Sequence, residues 1–183
     1  MKKLLLNIIF AVFLFSCSGT DKTNAQSIEK IISTVENNYQ NQEFRFSLNC
    51  PETWDILEDS LSSLVYLLTP TDSLDSFQEM INVVIGSSEG KTLEQFFKLN
   101  DTIVQKSFDE LIQLENAKTI NINGVDFKTV KYNYTFGGYK LTAKIYVALK
   151  GDFSYILNCS ALQSTFPDFE NEFKNIVRSF KIK

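Results

Sequence analysis

The chain has 183 residues, 44% of them hydrophobic and 22% charged, with a net charge of −4 and no histidine. That is the size and balance of one globular domain with a full apolar core, and the missing histidine removes Ser-His-Asp and Cys-His catalysis, histidine acid–base chemistry and histidine-ligated zinc. The acidic balance also argues against nucleic acid as a partner, because non-specific affinity for it comes from lysine and arginine neutralising phosphates.

Met1-Lys2-Lys3 opens the chain with positive charge, and Leu4 to Phe15 forms an apolar run shorter than the roughly 20 residues that cross a bilayer. It ends in Leu14-Phe15-Ser16-Cys17. This stretch resembles the lipobox of bacterial lipoproteins, with Phe15 bulkier than the usual residue at its place. The resemblance implies cleavage before Cys17 and a diacylglycerol on its thiol, so that residues 1–16 are a signal peptide and Cys17 a lipidated first residue. Several acyl chains on one cysteine make a stable anchor, since each buried methylene contributes about 0.8 kcal/mol. The rival reading is an ordinary secretory signal cut near Asn24-Ala25-Gln26, where Asn24 is a poor small residue. Without Lys2 and Lys3, the 18 basic groups fall to 16 against 22 acidic ones, a net of −6. Residues 17–26 are polar and without apolar periodicity, which predicts a flexible tether, and 27–183 a single domain in the cell envelope, on the periplasmic side.

Ile28, Ile31, Ile32, Val35 and Tyr39 recur at helical spacing, although Lys30 to Val35 would also serve as a strand. Phe44, Phe46, Leu48 and Cys50 alternate with polar residues until Pro51, which predicts a half-buried strand. Trp54 to Leu57, Leu64 to Thr69 and Met80 to Gly86 read as further strands, with a turn-rich loop at Pro70 to Ser76. Thr92 and Gln95 have the spacing of a capping box, followed by Leu93, Phe96, Phe97, Ile103 and Val104 on one helical face. Asn123-Gly124, Gly137-Gly138 and Gly151-Asp152 then punctuate a four-strand meander. Thr165, with Asp168, is positioned to cap a last helix that carries Pro167 in its first turn and Phe169, Phe173, Ile176, Val177 and Phe180 as its stripe. Strands in a meander with separate helices make an α+β domain.

The segments FRFSLNCPETW (residues 44–54), INGVDFKTVKYNY (122–134), FSYILNCSA (153–161) and FKNIVRSFKI (173–182) resemble the PsbP-like family, including its DcrB-like members. The resemblance covers most of residues 42–183. It implies a central antiparallel β-sheet with helices packed on its faces. It implies little about activity and carries no functional residue across, because it rests on strand hydrophobics and turn glycines.

Cys50 and Cys159 lie on the apolar sides of their strands and are disulfide candidates in an oxidising compartment, or else two buried free thiols. Lys128, Lys131, Lys140, Lys144 and Lys150 make the meander locally basic, and Tyr132, Tyr134, Phe136, Tyr139, Tyr146 and Tyr155 crowd the same hairpins. From these, Tyr132, Tyr134, Tyr139, Lys140, Lys144 and Tyr146 form the candidate binding surface, against the plainer reading of core rings and a solvated lysine face. Asp72, Asp75 and Glu79 lack the glycine and terminal glutamate of an EF-hand, so no metal is expected there. No phosphate-cradling glycine loop or nucleophile elbow occurs, and no catalytic residue or cofactor is expected. The expectation is a lipid-anchored envelope protein that acts by binding or assembly with an envelope protein or ligand. The alternatives are a periplasmic carrier of a small apolar ligand held between helix and sheet and, more remotely, a carboxylate-based enzyme.

Overall fold

The structure is a computed structural model that describes residues 29–31, 38–59, 64–70, 77–108 and 110–183. In chain order its strands are β1 (Glu29–Ile31), β2 (Asn38–Asn41), β3 (Phe46–Asn49), β4 (Asp55–Asp59), β5 (Leu64–Leu68) and β6 (Met80–Ser87). Helix α1 (Leu93–Ser107) follows, then β7 (Ile112–Ile122), β8 (Val125–Phe136), β9 (Tyr139–Lys150), β10 (Phe153–Leu162), helix α2 (Phe166–Ser179) and β11 (Lys181–Ile182). Eight strands form one antiparallel sheet in the order β1-β4-β5-β6-β10-β9-β8-β7, and β11-β3-β2 form a second, three-stranded sheet. This is the α+β architecture with a central antiparallel sheet. Among the described residues no helix is long and apolar enough to cross a membrane.

Local chemistry explains most element boundaries. Thr92 accepts from the Gln95 backbone N–H while the Gln95 side chain accepts from the Thr92 N–H, closing the expected capping box on α1. Asn123 and Gly124 have φ of 50° and 83°, the paired left-handed conformation of a two-residue hairpin whose twist matches its strands. The Asn123 amide also donates at 2.8 Å to the carbonyls of Arg178 and Phe180. The hairpin thereby satisfies carbonyls that the end of α2 leaves open.

Three boundaries depart from expectation. The N-terminal segment is extended where described rather than helical: Glu29–Ile31 pairs with β4, Ile31 opposite Ile56, and Tyr39 belongs to β2. β-Branched isoleucine beside an open strand edge favours the ladder over a helix. The strand expected from Phe44 begins at Phe46, because Arg45 turns the chain at φ 54°. Thr165 does sit at the α2 N-cap, yet makes no side-chain cap; its hydroxyl donates to Glu79 Oε1 at 2.6 Å instead.

Both faces of the large sheet are covered. Period-two alternation sends Val84, Val130, Ile145, Val147 and Ile156 toward Phe96, Phe97 and Val104 of α1. The opposite face sends Phe127, Tyr146, Tyr155, Leu157 and Cys159 toward Phe173, Ile176 and Val177 of α2 and the small sheet's Phe46 and Leu48. Phe180 follows α2 in extended backbone and stacks on Phe46 at 5.1 Å, with Tyr155 and Phe127 edge-on. Each such ring contributes roughly 1.5–3 kcal/mol by leaving water. These contacts bind the two sheets into one core.

Candidate functional site

The six residues expected to form one binding surface divide between the two faces. Tyr132 and Tyr134 are buried on the α1 face, where the Tyr132 hydroxyl donates to the Asp101 carboxylate. Tyr139 is 43% exposed and packs on Phe77, and Lys140 is exposed at the same hairpin. Lys144 and Tyr146 are buried on the α2 face. The single exposed surface is therefore not formed, because β9 is covered on both sides from Leu141 to Ala148. The remaining lysines scatter too: Lys128 pairs with Glu94 of α1 at 2.6 Å, and Lys150 is exposed at a strand end. Tyr155 is a core residue whose hydroxyl donates to the Phe44 carbonyl at 2.9 Å.

Part of the expected set does meet in a shaded polar basin on the α2 face. Lys131 and Lys144 are direct cross-strand partners on β8 and β9, and Thr129 and Tyr146 are partners one rung along. Residues i and i+2 of a strand share a face, so the four side chains form a square. Glu115 of β7 comes opposite Lys131 because the ladder is bulged on both sides of it. Both Glu115 oxygens lie 3.3 Å from Lys144 Nζ, and one lies 3.4 Å from Lys118. Glu170 of α2 lies 3.6 Å from Lys131 and 3.5 Å from Lys174. The Lys131 ammonium also sits 4.4 Å from the centre of the Phe166 ring.

The electrostatics of the basin follow from burial and charge together. Burial works to raise the Glu115 carboxyl, but Lys144 and Lys118 outweigh it and hold the group below its ordinary value. Burial pushes the Tyr146 hydroxyl well up, helped by the nearby Cys159, Glu115 and Glu170, so it stays a protonated donor. Thr129 Oγ1 is buried without a hydrogen-bond partner. Sequence reasoning named Lys144 and Tyr146 for the surface but missed Thr129, Glu115 and Glu170. Counting back from the Gly137-Gly138 turn places Lys131 opposite Lys144, a signal that was present in the chain; the bulge that delivers Glu115 had none.

Other expected residues have simpler places. Cys50 and Cys159 both enter the core, as free thiols rather than as a bridge. Burial, with Glu172 nearby, pushes the Cys50 thiol up to about 12, and burial raises Cys159 as well. Glu79 is buried between Thr69 and Thr165; Asp72, Asp75 and Cys17 lie outside the described residues. Among the described residues no group of three or more Cys, Asp and Glu is placed to hold a metal ion. On the α1 face, Asn82 and its cross-strand partner Asn158 form a second polar spot: both amide atoms of Asn82 and the carbonyl oxygen of Asn158 are buried and unpaired.

Comparison with solved structures finds the same fold at low identity. LpqN, described as involved in cell envelope biogenesis of Mycobacterium tuberculosis, superposes with a TM-score of 0.61 at 14% identity, covering 86% of this chain and 91% of its own. The cyanobacterial PsbP (CyanoP) of Synechocystis sp. PCC 6803 gives 0.58 at 15% identity, over 93% and 99% of the two chains. The protein PA94 of Pseudomonas aeruginosa, of unknown function, gives 0.60 at 15% identity, over 80% and 96%. No curated protein matches the chain in sequence. The PsbP family profile matches residues 35–182, nearly the whole domain, and the chain belongs to the PsbP family.

Proposed function

We propose that this protein is a lipid-anchored member of the cell envelope, tied to a membrane through Cys17, with its domain on the periplasmic side and acting as a non-catalytic binding or assembly module. The observation that carries the reading is the leader itself: a basic start, a short apolar run and Leu14-Phe15-Ser16-Cys17, followed by a polar stretch before the domain. The likeness of the fold to LpqN, a protein of envelope biogenesis, supports the compartment. The partner is an envelope protein rather than nucleic acid, in keeping with the acidic balance. Palmitate labelling of cells expressing the full chain tests the anchor. Label is expected on the wild type and absent from Cys17→Ser, which moves to the soluble fraction; an unlabelled wild type with its leader intact refutes the anchor. Pull-down from detergent-solubilised membranes tests the role, with a stoichiometric protein partner as the expected result.

A second reading is a carrier that holds a small, largely apolar molecule between α1 and the sheet. The unpaired amide of Asn82 beside the Asn158 carbonyl favours it, since buried polar atoms ordinarily have partners. Native mass spectrometry of the gently purified protein separates the two readings, as a retained small molecule belongs to the carrier alone.

A further inference from the structure

Lysines placed directly opposite one another in a sheet repel, and sequences usually avoid the pairing. Here Lys131 and Lys144 are opposed on a covered face, with side chains only 16% and 11% exposed. Cross-strand neighbours stand about 4.5–5.5 Å apart at their α-carbons, so two largely desolvated lysine side chains start from neighbouring points, one reaching Glu170 and the other Glu115. The local compensation is incomplete: Lys118, Lys131, Lys144 and Lys174 share the two carboxylates of Glu115 and Glu170. Their contacts run from 3.3 to 3.6 Å, longer than the roughly 2.7–2.9 Å of a tight ammonium–carboxylate bond. The acids hold the lysines loosely, and four ammonium groups face two carboxylates in a protein whose net charge is negative, the two in excess being the more exposed Lys118 and Lys174.

A second, independent observation lies on the next rung. Thr129 Oγ1 is unpaired in a residue that is 1% exposed, and it faces the same basin beside Tyr146, about 6.6–6.8 Å along the strand from Lys131. An orphaned buried hydroxyl is destabilising, so this corner carries two unfavourable features at once. One ligand relieves both: an oxyanion with two negative charges, seated between the ammonium groups and accepting from a hydroxyl.

We propose that the square of Lys131, Lys144, Thr129 and Tyr146, between α2 and the β8–β9 ribbon, is a binding site for a doubly charged phosphate group, either inorganic phosphate or a phosphate monoester. Lys118 and Lys174 form the accessible rim, with side chains 58% and 39% exposed. Glu170 and Glu115 each hold one of the two buried lysines, at 3.6 and 3.3 Å. No bond is made or broken; the site binds. It is separate from the membrane anchor, and its success or failure leaves the envelope reading standing.

The test uses the full chain in a non-ionic detergent, with thermal unfolding followed at constant ionic strength. Inorganic phosphate replacing sodium chloride is expected to raise Tm by about 3–5 °C for each tenfold excess over its Kd. Lys131→Met, which leaves Glu170 with Lys174, is expected to fold at least as well without phosphate and to weaken the response at least tenfold. Thr129→Val is expected to raise Tm in chloride and to reduce the phosphate response. Dihexanoyl phosphatidic acid is the second probe: a response to it alone assigns the phosphate to a lipid headgroup, and a response to inorganic phosphate assigns a soluble source. Equal Tm in phosphate, phosphatidic acid and chloride overturns the proposal, as does a phosphate response that Lys131→Met leaves unchanged.

Discussion

The Thr165 hydroxyl donates to Glu79 Oε1 at 2.6 Å, joining the start of α2 to the strand edge before β6 across 86 residues of chain. Glu79 is 2% exposed, and its other oxygen accepts from Thr69. Glu79→Ala leaves both hydroxyls without this acceptor, and we expect a loss of about 1–3 kcal/mol. Thr165→Val removes one donor and should cost less. Urea unfolding read by the fluorescence of Trp54, the single tryptophan, which is buried against Phe173, measures both. Indistinguishable midpoints would show that the contact is incidental.

The Asn123 amide bridges the β7–β8 hairpin to the end of α2. Asn123→Gly keeps the left-handed turn but loses two hydrogen bonds, for an expected cost of about 1–2 kcal/mol. Asn123→Ala loses the bonds and also strains a position with φ of 50°, which adds about 1–2 kcal/mol. The order wild type, glycine, alanine in denaturant midpoint is the expected outcome; alanine matching glycine would remove the conformational half of the argument.

High pH should unfold this protein early. The Cys50 thiol rises from 9.0 to about 12 and the Tyr66 hydroxyl from 10.0 to about 12, burial being the main cause in each. A raised acid is neutral in the fold and ionises first in the unfolded chain, so its contribution is complete below the unfolded value and drains away toward the folded one. Stability should therefore hold to about pH 9 and fall steadily above it. Thermal melts from pH 7 to 11 check the slope, and Cys50→Ala should flatten it. The same burial predicts that neither Cys50 nor Cys159 reacts with a thiol reagent at pH 8 until guanidinium is added.

The acid limb has the opposite sign. Glu115 is held below its ordinary value of 4.5, so its contribution is present above that value and is lost as pH falls through the folded one. Glu115→Gln should weaken the dependence of stability on pH below about 5. An unchanged acid limb in the variant would remove Glu115 from the account.

The features legible in the chain were those written by neighbours. Thr92 with Gln95, and Asn123 with Gly124, need only residues within a turn of one another, and both devices formed as expected. The period of β9 correctly separated Leu141, Ala143, Ile145 and Val147 from Lys144, Tyr146 and Ala148. Periodicity states which residues share a face, however, and not whether that face is covered. Tyr132 and Tyr146, both expected at the surface, are core on opposite sides for that reason. The small sheet was equally invisible, because Ile182 pairs with Phe46 from the far end of the chain. So was Thr165 abandoning its cap, since its stronger acceptor, Glu79, comes from another part of the sequence.

β7 is the outermost strand of the large sheet, with Ile112 60% and Leu114 47% exposed. Such a rim, if regular, is a template on which a neighbouring molecule can lay its own strand. The irregularities around Glu115 interrupt it while turning that carboxylate toward Lys144. Deleting Asn116 removes the second irregularity and leaves Glu115 opposite Lys131, so the ion pair with Lys144 should survive while the longer regular rim gives neighbouring molecules a surface on which to stack into aggregates.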